Sequence, residues 1–282
     1  MSYPKVGHID FLNVLPLTYS YKHGYSKDLL IKYDVPSILN DDIKNDRLDI
    51  SQISSIEYAN MYDKLLILPD ICVRSNSDVE SIVLLSKKTI EDITDDKISL
   101  TSKSATSHCL LKIILSEKYR AKPKYEVKNI NVDFPILEGT TASLFIGDDA
   151  LQIYLNKPKN LYCYDLGKEW HNFTGRSMVY AVWVARKSFA DKSPELLQFV
   201  YDKIISGMKN GLNNKNAAIN FVINTKKISY NDLNYYLGNV IRWNLTDDDI
   251  DSLILYYELA HKIHLIDKIP EINFANVNRQ RW

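Results

Sequence analysis

An α/β protein of two lobes built on largely parallel sheets is the fold class that the sequence predicts, and three observations predict it. Short β-rich runs alternate with helical patterns from the start of the chain, the last third is helical in pattern, and no glycine- or serine-rich tether interrupts the run. A length of 282 residues is ample for two modest lobes that share or divide a core.

The first unit is the strand KVGHIDFL followed by a helix opening near Pro16, since proline at a first helical position loses no hydrogen bond. LDISQI then leads into a helix from about Ser55. SIVLLSK (81–87) reads as a strand, and KISLTSKSATSHCLLKIILSEKY (97–119) reads as strand, turn and amphipathic helix, opening a second lobe. SLFIGDDAL (143–151) is again a strand running into a helix start, YCYDLGKEWHNFTG (162–175) a polar and aromatic loop, and VYAVWVARK (179–187) a buried strand. From Ser193 onward, apolar residues at three- and four-residue spacing in PELLQFVYDKIISGM and DIDSLILYYELAHKIHLID predict three closing helices. Without a tether the lobes must be joined by crossing strands, and SIVLLSK and VYAVWVARK are the natural choices. Lobe 1 is then 1–86 with 181–282, and lobe 2 is 87–180.

Bulk properties exclude several function classes. Lys plus Arg (35) balance Asp plus Glu (35) without a basic stripe, so nucleic acid is not an expected partner. His8 and Asp10 stand where a signal peptide needs an apolar run, and no later run is long enough to span a bilayer, so a cytoplasmic protein without a membrane partner is expected. Cys72, Cys109 and Cys163 are odd in number and widely spaced, which fits reduced core thiols rather than a disulfide framework or a zinc site. Oligomeric state is not legible.

Four strand-to-helix junctions carry a small polar residue where the helix should begin. Asn13 precedes Pro16 near a strand end and reads either as a turn-forming amide or as a ligand contact. Ser54 and Glu57 have capping-box spacing, which demotes Glu57 as a base, while Ser55 is either a cap or a cleft hydroxyl. Thr101, Ser102, Ser104, Thr106 and Ser107 crowd a third helix start, where free N–H groups, the positive dipole end and hydroxyls together suit a carboxylate or phosphate. At the fourth, Asp148 and Asp149 suit a cap or a substrate hydroxyl better than an anion. His108 and His171 lie nearest these junctions, and each reads either as a structural histidine or as a site residue. A glycine-rich dinucleotide fingerprint, a phosphate-binding loop and a serine nucleophile elbow are all missing, so neither cofactor nor metal is expected.

Read as strings, the junctions resemble the MqnA family of menaquinone biosynthesis, the chorismate dehydratases of the futalosine route. IDFLNVLPL (9–17), DISQISSIEYA (49–59), LLILPDICV (65–73), SIVLLSK (81–87), LTSKSATS (100–107), FIGDDAL (145–151) and YDLGKEWHNFTG (164–175) match in order over nearly the whole chain. Gln52 and His108 depart from the smaller or apolar residues expected there, and the C-terminal helices match in pattern only. The resemblance implies a type 2 periplasmic-binding-protein-like fold with chorismate between the lobes, losing water without a cofactor to give 3-[(1-carboxyvinyl)oxy]benzoate. It also implies Asn13 and Ser81 as catalytic candidates, with Ser54, Ser55, Ser104, Thr106, Ser107, Asp148 and His171 around the substrate. The sister 1,4-dihydroxy-6-naphthoate synthases have a Cys-Pro-Asn-Asp type N-terminal pattern that is lacking here. A cytoplasmic small-anion binding or sensor protein is the rival from another class. For the base, Asp148, Asp149, His171 and a substrate carboxylate all stay open.

Overall fold

The computed structural model describes residues 3–280. Among the described residues, eleven strands form two sheets. In chain order they are β1 (Lys5–Ile9), β2 (Leu30–Asp34), β3 (Ile50–Ser54), β4 (Leu65–Ser75), β5 (Ile82–Ser86), β6 (Lys97–Thr101), β7 (Lys124–Lys128), β8 (Ala142–Ile146), β9 (Tyr162–Asp165), β10 (Met178–Arg186) and β11 (Ile241–Arg242). One sheet runs β11-β4-β10-β3-β1-β2 and the other β7-β6-β8-β5-β9. The βαβ rhythm produces the parallel pairs β1/β2, β1/β3, β6/β7 and β6/β8. β5 and β10, each the first strand laid down after the chain changes sheet, instead run antiparallel to both of their neighbours.

The crossings themselves lie outside those two strands. β5 belongs wholly to the second sheet and β10 to the first, so the chain crosses between Ser75 and Ile82 and returns between Asp165 and Met178. Both points precede the boundaries expected at 86/87 and 180/181. A second difference is at 162–175, read above as a loop: it forms β9 and the helix Leu166–Thr174. The Asp165 carboxylate caps that helix by accepting from the Lys168 N–H, and Gly175 ends it at φ +71°. The C-terminal third also has more helices than the three expected, since Pro194–Asn213 stops at Asn214 and further helices follow at Lys215–Val222, Tyr230–Tyr235 and Asp247–Lys262. Among the described residues, no helix is long and apolar enough to cross a membrane.

Both faces of the first sheet are covered, which is why even ISQIS of β3 is buried throughout. Its Gln52, one of the departures noted above, uses the side-chain oxygen to accept from the Ile9 N–H, pinning the end of β1. Helix Pro194–Asn213 packs on helix Leu15–Ser20 through Gly207 and Gly211, four residues apart on one face. A Cβ at Gly211 would lie 1.8 Å from the Pro16 carbonyl oxygen, which is backbone and cannot step aside. Gly211→Ala should therefore force the helices apart and destabilise the protein by about 2 kcal/mol, read as a lower urea midpoint at unchanged slope. A midpoint equal to the wild type would show that this close approach is relaxed in solution.

Candidate functional site

The carboxyl ends of the parallel strands from both sheets meet at one cavity. The first sheet contributes Ile9, Asn13, Ser54 and Ala181 with Tyr180, and the other side contributes Ser81, Ser104, Ser107, Ile146 and Gly147. The cavity volume is about 50 Å³, room for a few waters between the lobes. All four junctions singled out in the sequence reach it. Among the described lining residues none is Asp, Glu, His, Lys or Arg, so every polar group offered to a ligand is neutral.

Asn13 lies in the short 3₁₀ turn Leu12–Val14 after β1, and its main-chain oxygen accepts from the Trp243 indole N–H at 2.8 Å. Its side-chain oxygen is buried without a donor among the described residues, although the residue lines the cavity. Ser54 ends β3; the Asn40 amide donates to its hydroxyl at 3.2 Å and accepts from its N–H at 3.0 Å. The expected Ser54–Glu57 capping box is consequently not formed: Ser54 makes no side-chain cap bond, and Glu57 accepts from Asn60. Ser104 caps helix Ala105–Ile113, accepting from the Ser107 N–H, with the two hydroxyls 3.2 Å apart. These hydroxyls and the N–H groups of the first turn sit where an anionic oxygen is stabilised.

Ser81 stands in the first crossing, just before β5. Its N–H donates to the Val79 carbonyl, its own carbonyl accepts from Gly147 N–H at 2.8 Å, and its hydroxyl accepts from Tyr236 at 2.8 Å. Gly147 has φ +65°, and an added Cβ would strike the Phe11 ring, so only glycine lets the two lobes close here.

Four expected site residues lie elsewhere. Ser55 turns away and donates to the Val179 carbonyl. The Thr106 hydroxyl accepts from the Ile56 N–H, and the Thr106 carbonyl accepts from Tyr256. Asp148 accepts from Leu12 N–H at 2.9 Å and pairs with Lys226 at 2.6 Å. Thr106 and Asp148 thus clasp the second sheet's elements to the first lobe, which explains their polar character without a ligand. His171 is on the outer helix Leu166–Thr174 and bonds the Arg176 carbonyl. Asp149 pairs with Lys103 in a neighbouring groove. His108, the other departure, bonds the Thr101 carbonyl at 2.6 Å. Sequence reading missed Tyr180, Tyr236 and Trp243, none of which belongs to a motif.

The crossing carries two carboxylates, Asp78 and Glu80. The Asp165 carboxylate accepts from the N–H groups of Val79 and Glu80, tying the crossing to helix Leu166–Thr174. Glu80 is held at φ +57° and only 7% exposed, and burial, then the charges of Asp165 and Asp78, push its carboxyl up to about 7. A carboxyl raised in the folded state favours folding below the unfolded pKa and loses that contribution as pH rises through about 7. Glu80→Gln should therefore gain stability relative to wild type across that window, on the order of 1–2 kcal/mol at pH 8 and near zero at pH 4.5. Urea midpoints that differ by the same amount at every pH would contradict this.

A family profile described as menaquinone biosynthesis matches residues 4–262. A protein of Campylobacter jejuni named chorismate dehydratase is 26% identical over 265 residues, covering 92% of this chain and 98% of that protein. A chorismate dehydratase of Thermus thermophilus is 29% identical over 192 residues, covering 63% of this chain and 68% of its own length. Among solved structures, a protein of Archaeoglobus fulgidus superposes with a TM-score of 0.74 at 18% identity, over 93% of this chain and 98% of the other. The periplasmic aliphatic sulphonate binding protein of Escherichia coli gives a TM-score of 0.66 at 13% identity, covering 100% of this chain and 95% of that one. The fold is that of the periplasmic binding proteins.

Proposed function

The chain belongs to the menaquinone biosynthesis family, and from that premise we propose that it is a chorismate dehydratase, a hydro-lyase converting chorismate to 3-[(1-carboxyvinyl)oxy]benzoate. The observation that carries the reading is the convergence of Asn13, Ser81, Ser104 and Ser107 on one cavity without charged side chains. Chorismate brings two carboxylates and a hydroxyl. The start of helix Ala105–Ile113 supplies donors for one carboxylate, and charge-assisted hydrogen bonds of this kind contribute about 1.5–3 kcal/mol each.

The chemistry asks little else of the protein. Loss of the proton at the ether-bearing carbon develops charge that spreads through the diene into the ring carboxylate, where donors stabilise it. Expulsion of the neighbouring hydroxyl, which takes up the abstracted proton and leaves as water, makes the ring aromatic. With Asp148, Asp149 and His171 outside the cavity, the base is the enolpyruvyl carboxylate of the substrate itself, held against the proton by Asn13 and Ser81. Entry of a ring dicarboxylate into so small a space requires the lobes to part and then close again.

Purified protein incubated with chorismate should lose one water by mass spectrometry while the ultraviolet spectrum shifts to that of the benzoate product. Chorismate bound tightly but recovered unchanged would establish instead a binding protein, the role that the sulphonate-binding relative of the fold performs.

A further inference from the structure

The geometry points to Tyr236 as the positioning residue of the site, which fixes the Ser81 hydroxyl so that its hydrogen is donated into the cavity. Tyr236 opens the π-helical turn Tyr236–Val240 and is 1% exposed. Its hydroxyl lies 2.8 Å from Ser81 Oγ and donates to it. Burial raises its pKa above the ordinary phenol range, so it stays protonated and remains a donor at any working pH. The reverse arrangement, with Ser81 donating, would leave the phenolic hydrogen buried without another acceptor among the described residues, which is the costlier alternative.

The remaining bonds of Ser81 leave one direction free. Its N–H is used by the Val79 carbonyl and its carbonyl by Gly147, so the main chain is held in place and only the side chain can turn. One oxygen lone pair is taken by Tyr236, and Ser81 lines the cavity. The uncommitted hydroxyl hydrogen is then the group that meets a substrate oxygen.

The segment from Tyr236 to Trp243 serves both candidates at once. Seven residues after Tyr236, the Trp243 indole N–H holds the main chain of Asn13, and between them Ile241 of β11 is itself in the cavity wall. A single strap of the first lobe therefore sets the Ser81 hydroxyl and the Asn13 turn relative to each other.

The role of Ser81 in turnover rests on the dehydratase reading, whereas the orientation of its hydroxyl does not, and the test has one arm for each. In a high-resolution crystal structure of Tyr236→Phe, Ser81 Oγ should leave its rotamer or occupy two. An unchanged single rotamer overturns the proposal whatever the enzyme does. In steady-state assays with chorismate, Tyr236→Phe should lower kcat about tenfold with KM within about twofold, one neutral hydrogen bond being worth roughly that much. Tyr236→Phe combined with Ser81→Ala should be no slower than Ser81→Ala alone, because the hydroxyl being oriented is gone. Losses that multiply in the double variant, or a KM that rises with kcat unchanged, overturn the proposal. Wild-type protein inert toward chorismate would refute the dehydratase reading and leave the crystallographic arm to decide the orientation.

Discussion

Asn13→Asp is expected to reduce turnover of chorismate by about a thousandfold while leaving the melting temperature close to wild type. The side-chain oxygen of Asn13 is buried and receives no hydrogen bond from the described residues, so the fold they form does not depend on it. The turn Leu12–Val14 likewise has no side-chain cap bond. What the amide provides is a donor beside an acceptor in a cavity whose other polar groups are neutral. Aspartate has nearly the same shape but adds an anion in a space that must receive two carboxylates. Two like charges about 4 Å apart at an effective dielectric near 20 repel by about 4 kcal/mol, which is the thousandfold loss. Asn13→Ala removes one hydrogen-bonding group and adds no charge, so it should cost only about tenfold. The expected order of activity is wild type, then Ala, then Asp, with similar melting temperatures. If Asn13 were merely a turn residue, Asp would substitute for it and Ala would not. An active Asp variant beside an unfolded Ala variant would therefore reverse the assignment.

How much of this site the sequence revealed follows from which directions a linear pattern can encode. A small polar residue between a strand and a helix is visible in the string, and parallel strands bring such junctions to one end of a sheet. Asn13, Ser54 and Ser104 were legible for that reason, and so was the two-lobed α/β architecture. Which neighbour faces the cavity was less so. Each helical residue turns about 100° from the last, so Ser104 and Ser107, three apart, share a face while Thr106 does not. Ser54 ends β3 while Ser55 opens the following helix, so the two side chains diverge and the Ser55 hydroxyl is spent on Val179. Asp148 looked like a ligand group because its partners, Leu12 and Lys226, are remote in sequence and lie in the other lobe. Tyr236 and Trp243 were out of reach altogether, since their roles exist only after the C-terminal segment folds back onto the first crossing. The strand direction of β5 and β10 escaped for a related reason: hydrophobic runs report burial, not orientation.

The rotation that parts Thr106 from its neighbours also sets up the second large effect. Ser104 and Ser107 present their hydroxyls together at the start of a nine-residue helix, 3.2 Å apart, both in the cavity wall. If each donates to a substrate carboxylate, removing both forfeits at least about 3 kcal/mol, so affinity for 3-[(1-carboxyvinyl)oxy]benzoate should fall by about a hundredfold or more. Ser104 is also the helix cap, and alanine there would lower stability by about 1 kcal/mol and blur the result. Glycine at a cap costs only a few tenths, so the informative variant is Ser104→Gly with Ser107→Ala. Calorimetric titration with the product then reads binding, and thermal denaturation reads the fold. Thr106→Val is the control, because it deprives the buried Ile56 N–H of its acceptor and should show chiefly as a lower melting temperature. Undiminished product affinity in the Gly/Ala pair would mean that both serines only finish the helix, and the carboxylate would have to be held by other groups.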